Sequence, residues 1–255
     1  MQRTTFNRSA LIRLLSETHP QIADPKYDFG ERLGRWLDLS DAMTLFSVLG
    51  SEAGKRTSVL SSALSSKADL PDQLQRVRRT LRDAIANDGV FEADPSGTAP
   101  RIPFPLPQSR ASAANVNTPL DFTPYHRYYL AHQREMNSAI TALRTHARKT
   151  LAVQSPAGRQ LAGLDAVFEK SLGARESNLL ATVPMLLSKC FEQRYTEHRT
   201  ALLGEDDPAT WTQSGSWLEA FCNDAKRLLL AELDLRLKLV SELIAALAGE
   251  PGGAG

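Results

Sequence analysis

Residues 217–249 read WLEAFCNDAKRLLLAELDLRLKLVSELIAALAG, with no proline in the run and no glycine before Gly249. Nearly every residue is a good helix former. A helix from Trp217 to Leu247 would be about 45 Å long. Apolar residues cover well over half of its circumference, which predicts packing against at least two neighbours. Two residues interrupt that face. On a wheel of about 100° per residue, Glu232 and Arg236 fall in the middle of the apolar arc, between Leu229, Leu233, Leu239 and Leu243.

Two long helical runs precede this one. Residues 125–153 place Tyr125, Tyr129, His132, Met136, Ile140, Leu143 and Ala147 on one face. Ser155-Pro156 opens the next, with proline at the first helical position. Its apolar residues in phase are Leu161, Leu164, Phe168, Leu172, Leu179, Val183, Leu186 and Cys190. Pro184 has no N–H to give the carbonyl of Leu180, so a kink or break is expected near 180–184. Gly204-Glu205-Asp206-Asp207-Pro208 reads as the following turn. Short connections make consecutive helices antiparallel neighbours. Residues 125–248 are therefore expected to form an elongated antiparallel three-helix, coiled-coil-like bundle, followed by a disordered tail over 249–255.

The N-terminal residues 1–91 read as a helical unit. Phe6, Leu11, Leu14 and Leu15 share one side of a helix over 5–18 that ends at His19-Pro20. Asp28 and Glu31 have capping-box spacing. Leu33, Trp36, Leu37, Met43, Leu45, Phe46 and Leu49 follow, with a break expected at Ser40-Asp41 and a closing Gly50. Residues 51–66 are rich in Ser and Ala and read as helix. Asp69-Leu70-Pro71 is expected to open another, with Leu70, Leu74, Val77, Leu81 and Ile85 on its apolar face. Residues 92–124 hold seven of the 14 prolines and read as a linker. Pro100-Arg101-Ile102-Pro103 there is a PxxP element, for which a plain spacer is the simpler reading. The fold class expected is all-α: N-terminal unit, Pro-rich linker, three-helix bundle.

The totals exclude several classes. The 255 residues carry a formal net charge of +1, which argues against a dominant nucleic-acid-binding face. The two cysteines, Cys190 and Cys222, stand in helix-forming runs without CxxC spacing, so neither a disulfide framework nor a zinc knuckle is expected. The start is too short and interrupted in its apolar core for a signal peptide. No uncharged apolar run reaches membrane-spanning length. A cytoplasmic protein is expected.

Searches for chemistry return little. Gly50-Ser51-Glu52-Ala53-Gly54-Lys55-Arg56-Thr57 has three residues between its glycines and an arginine after its lysine, so it lacks the spacing with which a phosphate loop holds phosphate and magnesium. No Glu-x-x-His, HExxH, nucleophile elbow or dinucleotide turn occurs. No cofactor and no metal are expected, and no catalytic residue can be named. A basic surface is formed by Arg76, Arg78, Arg79 and Arg82, and by Arg127, Arg134, Arg144, Arg148 and Lys149. With tyrosines at the start of the second group it could hold a nucleic acid. The plainer reading is a solvated helix face that docks against acidic neighbours.

Folding the chain back near 207 and again near 155 brings the polar interruptions of three helices to one height. A polar core layer of His132, Glu135, Arg175, Glu176, Glu232 and Arg236 is expected. Such layers fix register and partner number; a ligand site is the sharper alternative.

The stretch Arg32-Leu33-Gly34-Arg35-Trp36-Leu37-Asp38-Leu39-Ser40-Asp41-Ala42-Met43 resembles a motif in a family of uncharacterised proteobacterial helical proteins, a domain of unknown function. The layout of helices around a Pro-rich middle is similar too. The resemblance implies a gene beside those for stator-like and OmpA-like envelope proteins, and hence an accessory to a membrane complex, and it brings no catalytic residues. The function expected is that of a non-enzymatic interaction or scaffold protein with an unknown protein partner, homo-oligomeric through its C-terminal helices. The alternative is a nucleic-acid-associated protein.

Overall fold

The computed structural model describes residues 9–18, 36–37, 39–50, 60–86, 121–201, 210–211, 213 and 215–249, and every regular element among them is an α-helix. In chain order these are α1 (Ala10–Thr18), α2 (Leu39–Gly50), α3 (Leu60–Ala86), α4 (Thr123–Gln154), α5 (Pro156–Leu180), α6 (Val183–Ala201) and α7 (Trp217–Gly249). The Asp28/Glu31 capping box, most of the 92–124 segment, the 204–208 turn and residues 250–255 lie outside the described residues.

Local chemistry fixes the helix ends. At α4, the Asp121 carboxylate accepts from the Thr123 N–H at 2.9 Å, and the Thr123 hydroxyl first, then this N–H, hold its pKa below the usual carboxylate value. At α5, Ser155 is the N-cap and accepts from the Gly158 N–H at 2.8 Å, with Pro156 next to it. Gly158 is required there, because a Cβ would stand 2.5 Å from the Leu151 carbonyl oxygen. At α7, the Ser216 hydroxyl accepts from the Glu219 N–H at 3.2 Å while the Glu219 carboxylate reaches back to the Gly215 N–H. This reciprocal pair is an S-x-x-E box that the sequence displays openly.

Residues Ala181 and Thr182 break the helix between α5 and α6, where Pro184 predicts it. Pro71 behaves differently. It was expected to open a helix, yet it lies inside α3, which runs from Leu60 without interruption. The break expected at Ser40-Asp41 lies a few residues earlier: Trp36 is helical, Leu37 is a bend, and α2 starts at Leu39 with Ser40-Asp41 in its first turn.

The central pair is α4 and α7. They run parallel, with Tyr125 beside Phe221 at one end and Gln154 reaching the Leu247 carbonyl at the other. The α5–α6 column returns antiparallel to both. On the opposite side α3 also packs against α4 and α7. It runs antiparallel to them, since Gln73 meets His146 and Arg82 meets Asp234. α1 packs against α7. Leu11 of α1 and Leu70, Leu74, Leu81 and Ile85 of α3 are buried in one core with Met136, Leu143, Leu187, Phe221, Leu229, Leu233 and Leu237. The broad apolar face of the last helix is thus covered from several sides, as its width requires.

The apolar face expected on α5 is not the face it buries. Leu161, Phe168 and Leu179 are exposed, while Gly158, Ala162, Asp165, Val167 and Leu180 are buried. The reason lies in the α4 interface. Arg144 and Asp165 meet there, and the small residues beside Asp165 let the backbones approach. α2 lies against α5. A Cβ on Gly163 would stand 2.9 Å from Val48 Cγ1, so the glycine admits that valine.

Candidate functional site

The broken helix generates the polar centre of the molecule. With proline at 184, the Leu180 carbonyl has no intrahelical donor. Gln133 Nε2 on α4 takes its place and donates to Leu180 O at 3.0 Å. The same amide donates to both carboxylate oxygens of Glu232 at 3.0 Å. Tyr129, one turn earlier, donates its hydroxyl to Glu232 Oε2 at 3.0 Å. Arg236 completes the set, with Nε at 2.8 Å and Nη2 at 2.7 Å from Glu232 Oε1. Glu232 is 0% exposed, so these donors replace water around its carboxylate. Burial, then the Glu232 charge and hydrogen bond, push the Tyr129 pKa well above its ordinary value, and the phenol keeps its proton as a donor.

The residues expected to form the core layer divide in three. Glu232 and Arg236 are paired in the core. Glu176 and Arg236 line one cavity between α4, α5 and α7, of about 190 Å3, with Asn137, Thr141, Arg144 and Glu169. The other three stand apart from the buried carboxylate. Arg175 is exposed and its guanidinium lies 6.0 Å from the Trp36 ring. His132 is buried against Tyr128, ring centroids 4.6 Å apart, and among the described residues its Nε2 has no hydrogen-bond partner. Burial lowers its pKa from 6.5 to about 4, so the ring is neutral. Glu135 is half-buried one turn from His132. The donors that sequence reasoning missed, Tyr129 and Gln133, stand one turn apart on α4. Tyr129 stands among apolar residues on its face, which hides its role; the signal for Gln133 is Pro184, which predicts an unpaired carbonyl needing a donor.

The basic surface is partly consumed by ion pairs. Arg144 forms a bidentate pair with Asp165 at 2.6 and 2.9 Å, deep in the α4–α5 interface. Burial works against its charge, but Asp165, Glu169 and Glu176 outweigh that and raise its pKa. Arg148 reaches Glu169 at 2.6 Å. Arg76 pairs with Asp69 at 3.0 Å and Arg82 with Asp234 at 3.7 Å, both exposed. Arg78 is half-buried, and Arg79, Arg127, Arg134 and Lys149 face solvent. The structure does not gather the nine residues into one patch of unpaired charge.

Between α6 and α7, Arg194 holds the Asp224 carboxylate through Nε at 2.8 Å, and the Cys190 thiol lies 3.8 Å from the same oxygen. Burial, then the Asp224 charge, raises the Cys190 pKa, which keeps the thiol protonated and poor as a nucleophile. Next to it Phe122, Tyr125, Phe191, Trp217, Phe221 and Trp211 pack ring on ring and close one end of the bundle. Among the described residues no group of three or more His, Cys, Asp and Glu is placed to hold a metal ion, and no helix is long and apolar enough to cross a membrane.

The second candidate site is on the surface. α2 has no buried residue. Asp41, Leu45 and Val48 face α5, where the Ser171 hydroxyl donates to Asp41 Oδ1 at 2.5 Å. The outer face carries Leu39, Met43, Phe46 and Leu49, exposed by 77%, 66%, 78% and 58%. Spacings of four, three and three place them on one stripe.

The sequence model of the family described as "Protein of unknown function (DUF3348)" matches residues 1–249, and the chain belongs to that family. No curated protein and no solved structure matches it.

Proposed function

We propose that this member of the family is a non-enzymatic interaction or scaffold protein that engages a protein partner through helical surfaces. One observation carries the reading: the exposed stripe Leu39, Met43, Phe46 and Leu49 on α2. A contiguous apolar stripe left to water is unfavourable at about 25 cal/mol per Å2 and marks a contact surface. Helix-in-groove recognition uses anchors at this spacing. The Glu232–Arg236 centre fits such a role as a register device inside the scaffold.

The finer reading is an accessory to a bacterial envelope complex acting from the cytoplasmic side. It rests on the resemblance of the Arg32–Met43 stretch to a proteobacterial family. Homo-oligomerisation is one form the interaction takes.

The test combines Met43→Asp with Phe46→Asp. Light scattering after size exclusion reads self-association, and pull-down from the native cell reads other partners. The expected result is loss of the complex with the unfolding midpoint unchanged. An assembly that survives the double substitution would remove α2 from the reading. Retention of the native protein on heparin, falling steeply with salt, would favour the nucleic-acid alternative instead.

A further inference from the structure

The cavity between α4, α5 and α7 has an unbalanced charge. Arg144 and Arg236 line it, with Glu169 and Glu176. Their direct ion partners are Asp165, Arg148 and Glu232. Three arginines thus meet four carboxylates, and one negative charge is left over. The pairings show where it sits. Asp165 is held by Arg144 at 2.6 Å, Glu169 by Arg148 at 2.6 Å and Glu232 by Arg236 at 2.7 Å. Glu176 has no ion pair of this kind among the described residues, and its interaction with Arg144 is through space only.

We propose that this cavity binds a primary alkylammonium group, with the Glu176 carboxylate as its counter-ion. An ammonium is a compact charge with three donors. Asn137, Thr141 and Ser177 on the same walls offer neutral oxygens for the remaining donors. Ile140 and Leu239 supply the apolar surface along which an alkyl stem lies, and Leu239 is otherwise half exposed. A bare metal ion fits less well, because no three ligating side chains converge there. The volume, about 190 Å3, is small for a ligand pocket and equals the liquid share of about six waters. A short diamine or the end of a lysine side chain has that size. Gly173 also lines the cavity and leaves room for a side chain, since a Cβ there would meet only Glu169 Cγ, at 4.0 Å.

Calorimetric titration of the full chain with butane-1,4-diammonium chloride, against sodium chloride of equal ionic strength, tests the site. A second arm uses N-acetyl-lysine methylamide. Saturable binding of the diamine assigns the site to a free amine; binding of the lysine compound alone assigns it to a partner's lysine side chain. Glu176→Gln, at a partly exposed position, is expected to weaken binding about tenfold or more, the worth of one charge-assisted hydrogen bond. Gly173→Val is expected to block it by filling the space. Circular dichroism confirms that each variant is folded, and Glu176→Gln decides alone if the valine variant is not. Absence of saturable binding by either amine up to about 10 mM, or binding unchanged in Glu176→Gln, overturns the proposal.

Discussion

Gln133 Nε2 donates to the Leu180 carbonyl oxygen at 3.0 Å, across 47 residues of chain, and so replaces the donor that Pro184 cannot supply. The same amide bonds the buried carboxylate of Glu232. A backbone defect in one helix is thereby tied to a charge in another.

This tie gives a rescue experiment. Gln133→Leu leaves the Leu180 carbonyl and one side of Glu232 without a donor, and is expected to cost about 2–4 kcal/mol in urea unfolding. Pro184→Ala returns an N–H to the position four residues after Leu180. In the Gln133→Leu background it should recover about 1 kcal/mol or more, and in the native background less. Equal effects in the two backgrounds would show that the amide and the proline are not coupled.

The Glu232–Arg236 pair predicts strong non-additivity. Glu232→Leu alone strands a nearly buried guanidinium, and Arg236→Leu alone strands a fully buried carboxylate; each is expected to cost about 3–5 kcal/mol. The double leucine variant should cost less than either, offset in part by the unpaired Tyr129 hydroxyl. If it keeps register and oligomeric state and is more stable than the native chain, the pair has no register role.

His132 gives an acid-sensitive contribution. Its folded pKa is depressed to about 4 from 6.5, so the unfolded chain binds the proton more readily. Stability from this residue is fully present above about pH 6.5 and is lost as pH falls toward 4, by about 2 kcal/mol at pH 5. His132→Leu should flatten that part of the curve of stability against pH between about 7 and 5. An unchanged slope would place the acid sensitivity elsewhere.

Two ion pairs should differ sharply under the same measurement. Asp165→Ala removes the bidentate partner of Arg144 in the α4–α5 interface, leaving it only the longer contact with Glu169 at 3.6 Å, and is expected to cost about 3 kcal/mol. Arg76→Ala breaks an exposed pair with Asp69 and should change stability by less than about 1 kcal/mol. Comparable losses would mean that the Arg144–Asp165 contact is well solvated.

Sequence reading carried the helices further than the site. Ser155-Pro156, Pro184 and the uninterrupted run after Trp217 are local signals, and helix ends follow local hydrogen-bond chemistry. Pro71 misled, because a proline marks a start only when the preceding turn is not already helical. On α5 the apolar periodicity of Leu161, Phe168 and Leu179 pointed at the wrong face. Periodicity records which residues are greasy, and it does not record that Arg144 draws Asp165 into the interface. For the same reason the run of basic residues on α4 does not name the partners of Arg144 and Arg148, which stand on another helix.

Local sequence is enough to make the described chain helical, to end α5 where α6 begins, and to put Glu232 and Arg236 on a face destined for burial. Those properties depend on residues within a few positions of each other. Only the tertiary structure decided that α3 joins the core beside α4 and α7, that Tyr129 and Gln133 serve Glu232, and that Arg175 turns outward to Trp36. Each of these depends on the rotation and height of one helix against another. Those are set by summed packing over many side chains, and no single stretch of sequence encodes them.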